Sequence, residues 1–173
     1  HWKTWYENGK LLNEGDFVEG KEHGFWQQYW DNGKLKNETT FDSGKLNGVW
    51  RSYSKKGKLT LQGEYKNDLK TGLWTRYSEK GQLLETGYYK IIEVKKHHVN
   101  YGVFAHRVVE ESVRDGHWVW FSEKDGKRSH EGDYKEGKED GTWIYYFPGG
   151  DKPFQIIEYK DGQLDGKMLT FEW

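Results

Sequence analysis

Residues 48–65 read GVWRSYSKKGKLTLQGEY, and this stretch decides the fold. Gly48 lies two residues before Trp50, and Tyr53 lies three residues after it. A turn centred on Gly57 follows, and a second run rich in β-forming residues closes the stretch. Two such runs around a short glycine turn are typical of a β-hairpin. The stretch therefore predicts two antiparallel strands and one turn.

The same pattern recurs along the chain with a spacing of mostly 24 or 25 residues. The first column of the repeat contains Trp2, Trp26, Trp50, Trp74, Trp118, Trp143 and then Met168. A second aromatic column contains Phe17, Phe41, Tyr65, Tyr89, Tyr134 and Tyr159. Independent columns that share one period indicate a tandem repeat.

The repeat predicts an all-β fold, an elongated single-sheet array of tandem antiparallel β-hairpins that resembles a solenoid. We expect at least twelve strands in sequential order. Residues 1–173 form a single repeat domain. Its units are residues 1–23, 24–47, 48–71, 72–115, 116–140 and 141–165, with a partial unit at 166–173.

The turn inside each unit sets the pairing of its strands. Asn32-Gly33, flanked by β-formers, predicts a two-residue type I′ turn. Counting outward from such a turn puts each tryptophan opposite a residue of the next strand. Trp50 then faces Gly63, where a large ring over a bare glycine fills the space that the glycine leaves. We expect Trp50 to be largely buried, and equally Trp74 against Gly87.

The pattern G-x-W-x-x-Y-x-x-x-G-K-L-x-x-x-G-x-Y, present in residues 48–65 and nearly complete in 72–89, resembles the MORN repeat in its bacterial variant. The resemblance covers the chain except roughly residues 90–115. It implies a hairpin array that forms a long antiparallel sheet. It also implies a binding scaffold, since several bacterial members resemble antitoxins or immunity proteins that sequester a toxin. No catalytic residue belongs to the repeat.

An insertion of about 20 residues interrupts the period between Tyr89 and Gly116. Its two β-rich runs flank a turn, which predicts an extended or additional hairpin, about residues 90–115, that projects from the sheet. Insertions in repeat proteins often lie on the binding face; the alternative is a hairpin that only caps or decorates the array. The candidate partner-binding residues of the insertion are His97, His98, Tyr101, Phe104, His106 and Arg107.

The aromatic residues have two interpretations. Residues three apart on a strand face opposite sides, so Trp26 and Tyr29 are expected to point apart. We expect the tryptophan column to build the packing. We expect the column three residues after each tryptophan, which contains Tyr29 and Tyr53, to line a groove, unless a bulge or strong twist makes both columns structural. Aromatic residues outside the columns are better candidates for binding anchors. These are Trp30, Trp120, Tyr145 and Phe147.

The charge balance argues against a nucleic-acid partner. The chain has 27 basic and 28 acidic residues, a net charge of −1, whereas binding to phosphate backbones needs a basic excess. No apolar run approaches the length of a transmembrane helix, so no spanning segment is expected. The sequence begins inside a repeat, at His1, without a visible signal peptide; we expect residues upstream, and the compartment stays unassigned.

Motifs for chemistry are weak. His97 and His98 are adjacent, so on a strand they point to opposite faces, and exposed histidines are a better interpretation than a zinc site. The run Gly15-x4-Gly20-Lys21 resembles a phosphate-binding loop but has Glu22 in place of Ser or Thr and lacks the following helix. We expect no cofactor and no enzyme activity.

The leading hypothesis is a non-enzymatic protein-binding scaffold. In its sharpest form it is a bacterial antitoxin or immunity protein that masks its partner. The first alternative is a glycan or cell-wall binding module that uses exposed aromatic rings. The second alternative is a structural spacer.

Overall fold

The fold is a single open antiparallel sheet of 14 strands. The computed structural model describes residues 1–100, 103–150 and 152–172, without the side chains of residues 97–100 and 103–106. Strands pair in sequence order, except that the short β5 pairs only with β4. The strands are β1 Trp2–Trp5, β2 Leu11–Val18, β3 Lys21–Tyr29, β4 Leu35–Asp42, β5 Lys45–Leu46, β6 Gly48–Tyr53, β7 Leu59–Lys66, β8 Leu69–Tyr77, β9 Leu83–Asn100, β10 Val103–Phe121, β11 Arg128–Lys135, β12 Lys138–Tyr146, β13 Pro153–Lys160 and β14 Gln163–Thr170. The predicted all-β array of tandem hairpins is confirmed.

The turn inside the repeat unit differs from the predicted one. The N–H of Gly33 donates to the Trp30 carbonyl at 2.8 Å, and the N–H of Trp30 donates to the Lys34 carbonyl at 2.7 Å, so the loop has three residues. Gly33 has a φ of 84°, whereas Asn32 keeps a negative φ. This is a type I turn followed by a left-handed glycine, which requires a positive φ from the glycine alone. The predicted type I′ turn at Asn32-Gly33 is wrong for that reason.

The predicted register holds despite the different turn. β3 and β4 pair Tyr29 with Leu35 but Gln28 with Asn37, so Lys36 is an extra residue in β4. The longer loop and this bulge offset each other. The observed tryptophan pairings are Trp2–Gly15, Trp26–Thr39, Trp50–Gly63, Trp74–Gly87 and Trp118–Gly132.

Type I′ turns occur instead between the units. Glu19 and Gly20 have φ values of 51° and 75°, and they connect the paired residues Val18 and Lys21. A two-residue loop with positive φ at both positions is the type I′ geometry, whose twist matches that of the strands. The equivalent loops are Ser43-Gly44, Asn67-Asp68, Glu136-Gly137 and Asp161-Gly162.

Each buried tryptophan covers a glycine of the strand before it, in an arrangement that we call the Trp–Gly interlock. A Cβ atom added to Gly63 would lie 2.2 Å from the ring of Trp74. The register of β7 and β8 shifts at this point, so residues 72–74 bulge opposite Gly63, and the Nε1–H of Trp74 donates to the Glu64 carbonyl at 3.2 Å. The interlocks are Trp26 on Gly15, Trp74 on Gly63, Trp118 on Gly87 and Trp143 on Gly132.

The interlock corrects the expected packing of Trp50. Its register partner is Gly63, but the ring that covers Gly63 belongs to Trp74. The strand before Trp50 offers Thr39 at the glycine position, and a Thr side chain prevents the ring from lying on the backbone. Trp74 is 2% exposed, so its predicted burial is confirmed. Its expected packing against Gly87 is wrong, because Trp74 lies on Gly63 and Trp118 covers Gly87. Trp50 is only half-buried.

The tryptophan column and the second aromatic column lie on one face, which we call the tryptophan face. Their rings alternate in edge-to-face contacts across the strands: Trp74 meets Tyr65 at 5.1 Å between ring centroids and Tyr89 at 6.1 Å. Edge-to-face pairs contribute beyond the area that they bury. A single-layer sheet with few aliphatic residues thus obtains its packing from ladders of rings, one from Trp2 to Phe41 and one from Trp50 to Tyr159.

The opposite face has a repeated tyrosine–carboxylate hydrogen bond. The hydroxyl of Tyr29 donates to Glu14 at 2.6 Å, that of Tyr53 donates to Glu38 at 2.7 Å, and Tyr146 donates to a glutamate in the same way. Burial, followed by the neighbouring carboxylate, raises the pKa of Tyr29 to about 12. Tyr29 and Trp26 therefore lie on opposite faces, as predicted.

The segment expected to form an inserted hairpin continues β9 and β10. These strands pair from Val103–Asn100 as far as Asp115–Tyr88. The neighbouring strands pair with them over a shorter stretch. β8 pairs with β9 no farther than Tyr89, and β11 pairs with β10 only from Gly116 onward. Residues 92–100 and 103–111 therefore form a two-stranded extension, the projecting hairpin, about 30 Å long at the usual rise per residue.

Candidate protein-binding surface

Trp30 lies at the start of the loop that joins β3 and β4 inside one repeat, and its side chain reaches the next repeat. Its Nε1–H donates to the Tyr53 carbonyl at 2.9 Å, and the Lys36 ammonium lies 4.7 Å from its ring centroid. Tyr6 makes the same link one repeat earlier, where its hydroxyl donates to the Tyr29 carbonyl at 2.8 Å. The Trp30 side chain is half-buried and connects successive repeats.

Trp120 and Tyr145 belong to one stack of rings on the tryptophan face. His130 lies between them, 4.4 Å from Trp120 at an interplanar angle of 11° and 5.5 Å from Tyr145 at 14°. The other side of Trp120 contacts Trp118 at 5.8 Å. Burial, with the nearby charge of Arg114, lowers the pKa of His130. The structure thus brings these two candidates together, with their flat faces against other rings.

Phe147 extends the same cluster through a residue that the sequence analysis did not single out. Phe154 lies 5.5 Å from Phe147 and 6.2 Å from Tyr145. The row that contains this stack is polar in the first units, where Asn37 donates to Gln28 at 2.9 Å. This change from amides to rings was visible in the sequence. The positions of the row lie two residues after each tryptophan of the first column and two residues before each residue of the glycine column.

Of the candidates of the insertion, only Arg107 has a described side chain. Tyr101 lies outside the described residues, and so do the side chains of His97, His98, Phe104 and His106. Arg107 is described, is exposed and pairs across the strands with Lys96.

The face opposite the tryptophan face has a column of exposed apolar side chains, one residue before Trp26, Trp50 and Trp74. Phe25, Val49 and Leu73 are between 41% and 54% exposed. Tyr88, which pairs with Leu73, is 55% exposed. Gly63 forms the floor of a shallow groove between Val49 and Leu73. The column was missed in the sequence because it becomes visible only after faces are assigned.

This column continues onto the projecting hairpin. Alternate residues of β9 after Tyr88, with their partners on β10, lie on the same face. Val94 pairs with Val109 there, and Ile92 precedes them along the strand. The apolar members of this surface, which we call the apolar strip, are Phe25, Val49, Leu73, Tyr88, Val113, Ile92, Val109 and Val94. In the sheet, Thr40 and Glu64 lie between them on the intervening strands β4 and β7, paired with Phe25 and Val49. The strip crosses the sheet for about 24 Å, five strand spacings, and then follows the hairpin.

The strip differs from its surroundings in charge. The end of the same face near β1 has ion pairs, such as Lys3 with Glu14 at 3.0 Å. Beyond the hairpin, His117 lies 3.0 Å from Asp133.

Among the described residues no group of three potential metal ligands converges. The described part also contains no helix long and apolar enough to cross a membrane.

Comparison with known families identifies the repeat. A model described as the MORN repeat variant matches residues 1–19, 22–43, 46–67 and 70–90. A search of curated proteins found no match to the chain. The matched segments coincide with the hairpins that precede the projecting hairpin, and each contains one Trp–strand and the glycine-column strand after it. Residues 1–90 therefore contain four tandem segments that match the MORN repeat variant.

Proposed function

We propose that this repeat scaffold is a non-enzymatic binding protein that docks another protein on the apolar strip and masks the surface it covers. In the form that the family resemblance suggests, the masked protein is a toxin and the chain is its antitoxin or immunity protein. The observation that carries the proposal is the continuity of the strip from the sheet onto a hairpin that extends beyond the sheet.

Exposed apolar side chains in a contiguous patch mark interaction sites on soluble proteins. The four large side chains of the column are 41% to 55% exposed, on a face otherwise occupied by ion pairs and Tyr–Glu hydrogen bonds. A strip about 24 Å across with a 30 Å extension has the dimensions of an interface that buries about 1,200–2,000 Å². Its aromatic members, Phe25 and Tyr88, are suited to anchor such an interface.

A protein partner suits this surface better than a sugar. A sugar-binding face needs neighbouring flat rings that are free on one side. On the tryptophan face the Trp120–His130–Tyr145 rings cover one another. On the opposite face Phe25 and Tyr88 are five strands apart, so they cannot form one platform.

Site-specific photo-crosslinking tests the proposal. A crosslinking amino acid is placed at Leu73 or Val109 on the strip, and at Val108 as the control. Val108 is 53% exposed but lies on the other face of the hairpin. We expect one protein to be captured from both strip positions and not from Val108. The purified captured protein should then bind the wild-type chain and lose binding to Leu73→Glu.

Masking is tested on the same purified partner. A stoichiometric amount of the chain should abolish the activity of the partner, and Leu73→Glu should not. Capture from Val108 alone, unchanged binding to Leu73→Glu, or binding of cell-wall glycans with no protein captured contradicts the proposal.

A further inference from the structure

The projecting hairpin separates charge along its length. Between residues 94 and 109 the sequence has no Asp or Glu, although the whole chain has 28 acidic residues. The same window contains Lys95, Lys96 and Arg107. The acidic residues Glu110 and Glu111 follow directly, nearer the sheet. The far part of the hairpin is therefore positively charged on a chain whose net charge is −1.

Two of these cations lie directly opposite each other on the face of the apolar strip. Lys96 pairs with Arg107 across β9 and β10, and like charges directly opposite destabilise a strand pair. A two-stranded hairpin without further strands is marginally stable in water. The free chain therefore keeps two like charges opposite each other in the projecting hairpin, which no further strand supports. An anion bound between the two cations would turn their repulsion into attraction.

Glu111 offsets part of this repulsion. Its carboxylate lies 2.5 Å from the Lys96 ammonium, with both side chains more than a third exposed. Because Val109 lies between Arg107 and Glu111 on that face of β10, the Lys96 stem passes over the Val94–Val109 pair. Exposed ion pairs contribute little, so this one is easily exchanged. Among the described residues Arg107 has no ion-pair partner.

We infer that the protein docked on the apolar strip presents carboxylates at the far end of its apolar contact, where they pair with Arg107 and Lys96. Arg107 offers the planar fork that takes a carboxylate through two hydrogen bonds. Lys96 exchanges Glu111 for the carboxylate of the partner, which uncovers Val94 and Val109 for contact. The inference rests on the proposed function and names the chemistry of its partner.

The same charges fit an acidic protein better than a nucleic acid. Affinity for a phosphate backbone grows with the number of cations that contact it. On the strip face, the described part of the hairpin has only two cations, Lys96 and Arg107, and Lys96 already pairs with Glu111. Its other face has Glu93 directly opposite Glu110, both exposed, and these carboxylates repel a polyanion that wraps around the hairpin.

Two labelled synthetic peptides test the inference. Both alternate Leu and Val with charged residues; one has only Glu at the charged positions and the other only Lys. Binding to the full chain is measured by fluorescence anisotropy at low and high salt. We expect the Glu peptide to bind, with an affinity that falls as salt rises, and the Lys peptide to bind much more weakly.

Variants of the hairpin locate the contact. The double variant Lys96→Gln/Arg107→Gln should lower the affinity for the Glu peptide about tenfold. Glu111→Gln should raise it, because the internal competitor for Lys96 is removed. Lys95→Gln is the matched control: Lys95 neighbours Lys96 but lies on the tryptophan face, and this variant should change the affinity less than twofold.

Several outcomes overturn the inference. These are equal or tighter binding of the Lys peptide, no binding of the Glu peptide, or an equal loss in Lys95→Gln and in the double variant. Tighter binding of a 20-nucleotide single-stranded DNA through the same cations would assign the site to nucleic acid instead. If the captured partner still requires Leu73 but not Lys96 or Arg107, the proposed function stands and only the acidic character of the partner is refuted.

Discussion

At the scale of single residues, the glycine column is set by the ring that covers it. Gly63 has ordinary negative-φ strand geometry, so its role is close approach and not backbone freedom. Thr39 occupies the equivalent position one unit earlier and is 5% exposed, and the tryptophan next to it is the half-buried Trp50. One side chain at this column therefore decides whether the next tryptophan is buried.

Gly63→Ala should destabilise the chain strongly. The added Cβ would lie 2.2 Å from the Trp74 ring, and overpacking of this kind costs about 1–3 kcal/mol, occasionally more. Thr39→Ala is the matched control at the equivalent position, where the change only removes atoms; it should cost less than about 1 kcal/mol. Urea unfolding of both variants measures the difference, and equal costs would contradict the interlock.

Trp74→Ala and Trp50→Ala should differ in the same way. Removing the buried Trp74 ring should cost about 3–5 kcal/mol. Trp50 is half-buried and covers no glycine, so its removal should cost distinctly less. Thermal and urea unfolding check the order of the two variants, and a larger loss for Trp50→Ala would mean that the register partner, Gly63, determines the packing.

Tyr29→Phe should lose stability in a pH-dependent manner. The hydrogen bond from Tyr29, followed by that from Lys3, holds the pKa of Glu14 below its ordinary value of 4.5. The ionised carboxylate therefore stabilises the fold above that value, and this stabilisation disappears as the pH falls through the lowered pKa. The variant should cost about 1 kcal/mol at pH 7 and progressively less below about pH 4.

Tyr77→Phe is the control for this pH dependence. The Tyr77 hydroxyl accepts a hydrogen bond from the neutral Gln62 amide at 3.3 Å. The free energy of unfolding that Tyr77→Phe loses should therefore not vary with pH in the acidic range. Parallel slopes of unfolding free energy against pH for the two variants would refute the role of Glu14.

At the scale of elements, the sequence predicted the register but not the turn. The Asn-Gly pair suggested a two-residue loop, whereas the structure has three loop residues and a bulge at Lys36. Both solutions give the same pairing near Trp26, because the tryptophan and glycine columns constrain the strands more than the loop does. Turn type depends on which φ values must be positive, and one dipeptide does not determine that.

The projecting hairpin should be removable without loss of the sheet. Replacing residues 92–111 with a two-residue turn leaves Ser112, whose hydroxyl donates to the Lys70 carbonyl at 2.7 Å, and Val113, which contacts Gly137. We expect a midpoint of thermal unfolding within a few degrees of wild type and a loss of partner binding. Extending the deletion through Val113 should lower the midpoint further. A collapse of folding in the shorter deletion would show that the hairpin belongs to the scaffold.

At the scale of the whole molecule, the junction after β4 is a weak one. β4 pairs with β6 only at Asn37–Ser52 and Glu38–Arg51 and with the short β5 at Phe41–Leu46 and Asp42–Lys45, and Thr39 prevents an interlock there. Stability in such arrays is a sum of neighbour terms. Native-state hydrogen exchange should therefore show β1–β4 opening as a unit at lower free energy than β7–β10. Uniform exchange across this junction would contradict the assignment.

The fold was predictable from the sequence because many columns repeat the same information. The direction of the interlock was not predictable. The register identifies Gly87 as the residue opposite Trp74, but it does not tell whether the Trp74 ring packs over the strand after it or the strand before it. The apolar strip was missed for a related reason. Phe25, Val49 and Leu73 have little in common as a sequence column, and only the assignment of faces aligns them with Tyr88 and the hairpin.

The direction of the interlock gives the array a polarity. The matched repeat 22–43 joins a tryptophan strand to the glycine-column strand after it, but the Trp26 ring packs on Gly15, in the repeat before. The unit that is duplicated in sequence and the unit that packs are thus out of phase by one strand. When C-terminal repeats are removed, the new edge of the sheet is a glycine-column strand whose backbone no ring covers. When N-terminal repeats are removed, the new edge is a tryptophan strand whose indole has no glycine to cover. Shortened versions should therefore self-associate more strongly when repeats are trimmed from the N-terminal side than when they are trimmed from the C-terminal side.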